Sequence, residues 1–154
     1  MKIIMDADCL IKLTKAQIKE DVCAAFEIAI PKKVRKEIMV NSSAHPECSI
    51  IQRNLGTGLL NETTQINPTK KGEESVLATY EKGGYDGVAS DDKRFIKKLR
   101  ILNVPFITPA VFILLLVKER HITVDQGFIK LENLSYMISN DETAIVKLKL
   151  ETLR

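Results

Sequence analysis

Residues 2–8 read KIIMDAD, a short apolar run that ends in two aspartates separated by one residue. An apolar run of this length is typical of a strand buried on both faces, as in a parallel sheet. A second such run, GVAS at residues 87–90, ends in Asp91 and Asp92. Because ligands of open parallel sheets bind beyond the carboxyl ends of the strands, the two stretches predict an α/β fold with carboxylates gathered at one edge of the sheet.

Strand-like and helix-like segments alternate along the rest of the chain. Further strands are predicted at 27–30, 63–66 and 104–108, and helices at 9–26 with a break near Gln17, 32–40, 46–55, 71–82, 92–102 and 109–120. This alternation predicts a three-layer α/β/α fold around a mainly parallel central sheet. At 154 residues the chain suits one domain, in which residues from about 123 to 154 are expected to form a C-terminal helical extension.

Composition restricts the class of protein. Apolar residues make up 45% of the chain and charged residues 28%, which is ordinary for a soluble domain, and the net charge of +3 is compatible with a nucleic-acid partner. Cys9, Cys23 and Cys48 are an odd number without CxxC spacing, which favours buried free thiols over disulfides or zinc. The longest apolar run, 110–117, is too short to span a bilayer. We therefore expect a cytoplasmic protein without a signal peptide.

The acids at the two strand ends allow two interpretations. Asp6 and Asp91 each precede a predicted helix, where aspartate is a preferred N-cap. Alternatively they form a site, because carboxylates brought together raise each other's pKa and a hard divalent cation relieves that repulsion. Either interpretation is open for each residue alone, but two strand ends that each carry a second acid favour the site.

Two glutamates are further candidates. Glu73 shares a helix face with Val76 and Leu77, which predicts either a buried carboxylate that needs a partner or an exposed first-turn residue favoured by the helix dipole. Glu37 lies at the border of an apolar stripe, and its spacing alone favours a surface ion pair with Lys33.

A basic cluster follows the second acidic pair. The helix after Asp91 carries five cations, Lys93, Arg94, Lys97, Lys98 and Arg100. Such a run is usually a solvated face, but this one begins beside the proposed site. Phosphate contacts for Lys93 and Arg94 are therefore a hypothesis.

In order and spacing, four stretches resemble the PIN-domain family, which includes the toxin nucleases of the VapC type. They are IIMDADCLI at 3–11, IP at 30–31 with VRKEI at 34–38, KGEESVLA at 71–78, and VASDDKRF at 88–95. The similarity extends through 104–120 and covers most of the chain.

This resemblance implies a function. Asp6, Glu37 and Asp91 would be catalytic acids that also bind metal, and Glu73 and Asp92 would complete the metal site. The cofactor would be Mg²⁺ or Mn²⁺, and the activity that of an endoribonuclease in which metal-activated water attacks an RNA phosphodiester in line. The family also suggests a homodimer and an antitoxin protein as partner.

One position departs from the family pattern. Many members carry a fourth acid near the end of the strand that follows, whereas this chain has FITP at 106–109. Thr108 is the candidate to contact substrate or hold water there. Without that acid, a catalytically weak or inactive PIN-like module that binds RNA or protein is an alternative.

A second alternative is a haloacid-dehalogenase-like phosphatase. The sequence DAD at 6–8 also resembles the acids of that family, where the first is a nucleophile that forms an aspartyl-phosphate. Against it, Leu10 stands where that family usually has Thr or Val, and Glu37 and Glu73 would have no role. Short acidic motifs match by accident.

Overall fold

The structure, a computed structural model, describes residues 1–40, 46–56, 58–63 and 72–154. These residues form five strands and nine helices. In chain order they are β1 (Lys2–Met5), α1 (Ala7–Lys15), α2 (Lys19–Ala25), β2 (Glu27–Pro31), α3 (Lys32–Val40), α4 (Glu47–Gly56), β3 (Asn61–Thr63), α5 (Gly72–Glu81), β4 (Gly87–Ala89), α6 (Lys93–Ile101), β5 (Phe106–Ile107), α7 (Pro109–Lys118), α8 (Val124–Ser135) and α9 (Asn140–Thr152).

The five strands form one sheet in the order β3-β2-β1-β4-β5, and every pair is parallel. Ile3, Ile4 and Met5 of the central strand β1 are almost completely buried, as expected for a strand covered by helices on both faces. The predicted three-layer α/β/α fold with a parallel sheet is confirmed.

The order of the strands creates a switch point beside β1. The chain runs outward from β1 to β2 and β3, then returns to the other side of β1 for β4 and β5. Met5 pairs with Ala89, and Ala89 pairs with Ile107. Asp6 and Ser90 therefore leave the sheet side by side, at the place where open α/β sheets bind ligands.

Backbone conformation ends the helices where the sequence predicts. The predicted break near Gln17 is confirmed, because this residue adopts a φ of 60° between α1 and α2. Helix α5 stops before Gly83 and Gly84, whose φ values of 93° and 91° are accessible mainly to glycine.

Two strands differ from their predicted bounds by more than one residue. β3 covers Asn61–Thr63 and so begins two residues earlier than predicted. Residues 64–66 of the prediction lie outside the described part of the chain. β5 is only Phe106–Ile107, because Val104 donates its N–H to Leu99 at the end of α6 and Pro105 has no N–H to donate.

The C-terminal segment forms two helices, α8 and α9. α8 and α9 pack on each other and on α7, which in turn packs on α1 and α2. Leu131 and Leu134 of α8 and Val146 and Leu150 of α9 are buried in the same core as the sheet. No helix within the described ranges is long and apolar enough to cross a membrane. The three cysteines are buried and free, as expected.

Candidate active site

A small acidic cavity lies at the carboxyl end of the sheet, at the switch point. Its volume is about 150 Å³. The residues around it are Asp6, Ala7, Asp8, Val34, Glu37, Gly72, Glu73 and Asp92. A larger cavity of about 520 Å³ lies at the end of α7, but no carboxylate lines it. We place the candidate chemistry at the smaller cavity because it gathers five acids from four separate segments of the chain.

Asp6 is the most buried of these acids, with 5% of its surface exposed. It caps α1, since the Cys9 N–H donates to its Oδ1 at 2.9 Å, and the Ser90 hydroxyl donates to Oδ2. Burial raises the pKa of Asp6 to about 7, although both hydrogen bonds lower it and nearby Asp8 and Glu73 raise it further. Asp6 is therefore both a helix cap and a carboxylate whose charged form is disfavoured by burial.

Ser90 connects the two strand ends. Its side chain is fully buried, donates to Asp6 and accepts the N–H of Asp92 at 3.2 Å. One hydroxyl thus fixes the Asp6 carboxylate relative to the loop that carries Asp92. Nothing in the sequence distinguishes this serine, and sequence reasoning missed it.

The two adjacent aspartates have different surroundings. Asp92 lines the cavity and caps α6, because its Oδ1 accepts the Phe95 N–H at 2.8 Å. The expectation that Asp91 caps this helix is wrong by one residue. Asp91 does not line the cavity; it forms a hydrogen-bonded ion pair with Lys12 of α1.

Glu37 reaches the cavity from α3 and meets the first residue of α5. The Gly72 N–H donates to Glu37 Oε1 at 3.0 Å. This carboxylate is therefore held by a backbone donor at the N-terminus of a helix, where the N–H groups have no acceptor within the helix. A Cβ at Gly72 would lie 2.5 Å from Glu37 Oε2. This contact, rather than the ion pair with Lys33 favoured by spacing, orients Glu37, and it requires a glycine.

Glu73 lies on the first turn of α5. It is exposed while Val76 and Leu77 are buried, which agrees with the helix-dipole interpretation and not with a buried carboxylate. It nevertheless lines the cavity, because the N-terminus of α5 points toward the carboxyl edge of the sheet.

Both acidic and basic neighbours act on the pKa of Glu73. Partial burial raises its pKa, Asp92 and Glu37 raise it further, and Lys98 and Arg94 of α6 lower it. Arg94, a candidate substrate contact, is thus close enough to act on an acid of the cavity. Lys93, the other candidate, is exposed on the same first turn of α6.

Thr108 lies outside the cavity lining, at the end of β5. Its hydroxyl donates to Glu142 Oε1 of α9 at 2.6 Å. The strand end that carries no acid of its own is therefore next to a carboxylate brought from the C-terminal helix.

The donors suit a hard, hydrated cation. Among the described residues, no three His, Cys, Asp or Glu side chains converge closely enough to enclose a metal ion. Mg²⁺ usually takes only one or two protein carboxylates and keeps several waters. A buried Asp6 with a raised pKa, facing other carboxylates across a small cavity, fits that mode of binding.

Lys12 is the other residue that sequence reasoning missed. Its position four residues after Asp8 could have predicted their ion pair, at 3.1 Å, from helix spacing. Its contact with Asp91 joins residues 79 apart in the chain and has no local signal.

The parallel sheet and the acids at its switch point define a three-layer α/β/α protein with a candidate ligand site at the carboxyl ends of its strands. A family model described as a PIN domain, DUF3368, matches residues 2–151. The chain belongs to the PIN-domain family. No curated protein matches it. PIN domains are typically nucleases, and the family match therefore favours a nuclease-like hydrolase over a haloacid-dehalogenase-like phosphatase.

Proposed function

We propose that the chain is a metal-dependent endoribonuclease that hydrolyses RNA phosphodiester bonds with Mg²⁺ or Mn²⁺. The burial of the Asp6 carboxylate among other acids is the observation that supports this proposal. Asp6 is buried at the switch point with a pKa raised to about 7, and it faces four more acids across the cavity. Burying an uncompensated carboxylate costs stability, and a cation bound there would offset that cost.

The acids have different proposed roles. Asp6, Glu37 and Asp92 would be the principal metal-binding and catalytic acids, with Glu73 at the rim. The family resemblance implied a catalytic role for Asp91 and a metal-binding role for both aspartates; we propose Asp92 as the principal acid of the pair because it lines the cavity. A bound divalent ion would neutralise these carboxylates, stabilise charge on the phosphate and promote ionisation of water.

Neighbouring groups would hold the acids in place. The Ser90 hydroxyl fixes the Asp6 carboxylate, and the Gly72 N–H fixes that of Glu37. Such supporting hydrogen bonds orient metal ligands and hold them in one conformation.

Basic residues beside the cavity support an anionic substrate. Lys93, Arg94 and Lys98 are exposed on α6, whose first turn follows Asp92 directly. They would attract the RNA backbone without reading its sequence. We also propose that Thr108 contacts the RNA strand at the edge of the site.

The family resemblance also implies a cellular role and protein partners for this chain. The chain would act in the cytoplasm as the toxin of a toxin–antitoxin pair, as a homodimer with an antitoxin protein as partner. Induced expression of the wild-type chain should then arrest growth of the host, and Asp6→Asn should not. Growth arrest by both chains would reject the toxin role.

Cleavage of a mixed pool of labelled RNAs tests the activity. Wild-type protein, Asp6→Asn and Asp125→Asn would each be incubated with Mg²⁺, with Mn²⁺ or with a chelator. Asp125 is a matched control because its side chain is 85% exposed on α8. We expect metal-dependent cleavage by the wild type and Asp125→Asn, and none by Asp6→Asn.

Other outcomes have distinct meanings. Equal cleavage by wild type and Asp6→Asn would reject this site. If metal raises the melting temperature of the wild type but no RNA is cut, the chain is the non-catalytic binding module instead.

A further inference from the structure

Lys12 places a positive charge within the acidic edge of the sheet. Its ammonium group is 3.1 Å from Asp8 Oδ2 and donates a hydrogen bond to Asp91. Only 20% of the Lys12 side chain and 11% of the Asp91 side chain are exposed. The partly buried ammonium is thus bonded to one largely buried carboxylate, Asp91, and one half-exposed carboxylate, Asp8, and charge-assisted bonds of this kind are among the stronger ones in proteins.

The ammonium divides the acids at this edge into two groups. Six acids lie there: the five that line the cavity and Asp91, which follows β4. Asp8 and Asp91 share the charge of Lys12. Asp6, Glu37, Glu73 and Asp92 line the cavity and do not contact that ammonium.

Asp8 and Asp91 together carry four carboxylate oxygens around the ammonium, and carboxylate oxygens are the ligands that a second divalent ion takes in the two-metal sites of many nucleases. A lysine ammonium is a compact point charge with three donors, and it can neutralise and hydrogen-bond two carboxylates in the place of a hard cation.

We propose that Lys12 is a resident cation that occupies the Asp8–Asp91 side of the site, so that the chain binds one divalent ion at the cavity rather than two. This inference rests on the proposed metal-dependent function and deepens it. Lys12 is a positioning residue, since it acts through the two carboxylates it holds.

Removing the ammonium should create a second ion site. Without it, Asp8 and Asp91 would repel each other, and a hard cation would relieve the repulsion. Lys12→Gln removes the charge but keeps a hydrogen-bond donor for the partly buried Asp91. Lys12→Arg keeps the charge. Lys12→Gln with Asp91→Asn removes the charge and one of the two carboxylates.

Calorimetric titration with Mn²⁺ measures the number of ions bound per chain. We expect one ion for the wild type, two for Lys12→Gln, one for Lys12→Arg and one for the double variant. Lys15→Gln is the matched control, because Lys15 is exposed on the same helix, and it should bind one ion.

The outcomes separate this inference from the proposed function. Two ions in the wild type, or one in a folded Lys12→Gln, would overturn the role of Lys12 and leave the nuclease proposal standing. No ion in the wild type would overturn both. If Lys12→Gln does not fold, the wild-type and Lys12→Arg values decide, since two ions in either would overturn the inference.

Discussion

Two adjacent aspartates in the loop after β4, Asp91 and Asp92, have opposite electrostatic surroundings. Asp91 is paired with the Lys12 ammonium. Asp92 opens onto a cavity shared with Asp6, Glu37 and Glu73. Two adjacent residues thus differ: Asp91 is paired with a lysine of the protein, whereas Asp92 lines a cavity together with other acids.

This difference teaches how structural and functional acids can be separated in one cluster. A carboxylate that contacts a lysine is stabilised without a ligand. Within the described part of the chain, the Asp6 carboxylate accepts hydrogen bonds from Ser90 and Cys9, and burial dominates its pKa. Perturbed carboxylates of this kind, in a cavity, are typical of functional sites.

The largest expected effect is the difference in RNA cleavage between substitutions of Asp92 and of Asp91. Asp92→Asn should lower metal-dependent RNA cleavage by about a thousandfold, because a metal contact contributes several kcal/mol and each 1.4 kcal/mol is about tenfold in rate. Asp91→Asn keeps the shape and a hydrogen bond to Lys12, so its rate should change by no more than about tenfold. Single-turnover rates on one RNA measure both. The reverse order would assign Asp91 as the catalytic acid.

The pH dependence of stability sharpens the role of Asp6. Its folded-state pKa of about 7 lies above the ordinary 3.8, so the folded state holds the proton more tightly. The unfolding free energy of metal-free protein should therefore fall between about pH 4 and pH 7, by a few kcal/mol at about 1.4 kcal/mol per pKa unit. Urea unfolding across this range, in chelator, measures it.

Asp6→Asn is the reference for that experiment. It removes the titrating group and keeps an oxygen to accept the Cys9 N–H. Its unfolding free energy should vary less with pH than that of the wild type. An identical pH dependence of the two proteins would show that Asp6 does not carry a raised pKa.

Ser90→Ala removes the hydroxyl that joins Asp6 to the Asp92 loop. We expect metal affinity and cleavage to fall by about 10–100-fold, the usual effect of losing a group that orients a metal ligand. The loss of a hydrogen bond that lowers the pKa of Asp6 should also move the activity profile to higher pH. Ser49→Ala, exposed on α4, should change neither, and an unshifted profile in Ser90→Ala would argue against this role.

Gly72→Ala should have the smallest effect on the site. The added Cβ would lie 2.5 Å from Glu37 Oε2, and the flexible Glu37 side chain can move away at the expense of its contact with the α5 N–H. We expect metal affinity to fall by about tenfold. Gly56→Ala meets no atom within 4 Å and should leave metal affinity unchanged. Equal metal affinities of the wild type, Gly72→Ala and Gly56→Ala would show that Glu37 does not take part in metal binding.

Sequence patterns predicted the frame of the site because they are local. Buried strands that end in acids, a helix that begins with Gly72 and Glu73, and a break at Gln17 all leave signals within a few residues. These signals also carried the PIN-domain resemblance, which the family match confirms.

The remaining contacts depend on tertiary structure. Whether Asp91 or Asp92 faces the cavity depends on which of them caps α6, and an Asp-Asp pair leaves that choice open. The partner of Asp91 lies 79 residues away, and that of Glu37 lies 35 residues away. Helical spacing could only suggest Lys33 for Glu37, because it describes one helix at a time.

Titration of metal-free protein with Mn²⁺, following RNA cleavage and the melting temperature in the same samples, tests the central claim most directly. An ion that binds the folded chain must stabilise it, by about 2.7 kcal/mol at a hundred times its Kd. We expect cleavage and melting temperature to rise over the same Mn²⁺ concentrations, and both responses to disappear in Asp6→Asn. Cleavage that needs no metal, or that rises while the melting temperature stays constant, would contradict a metal-dependent nuclease site in this cavity.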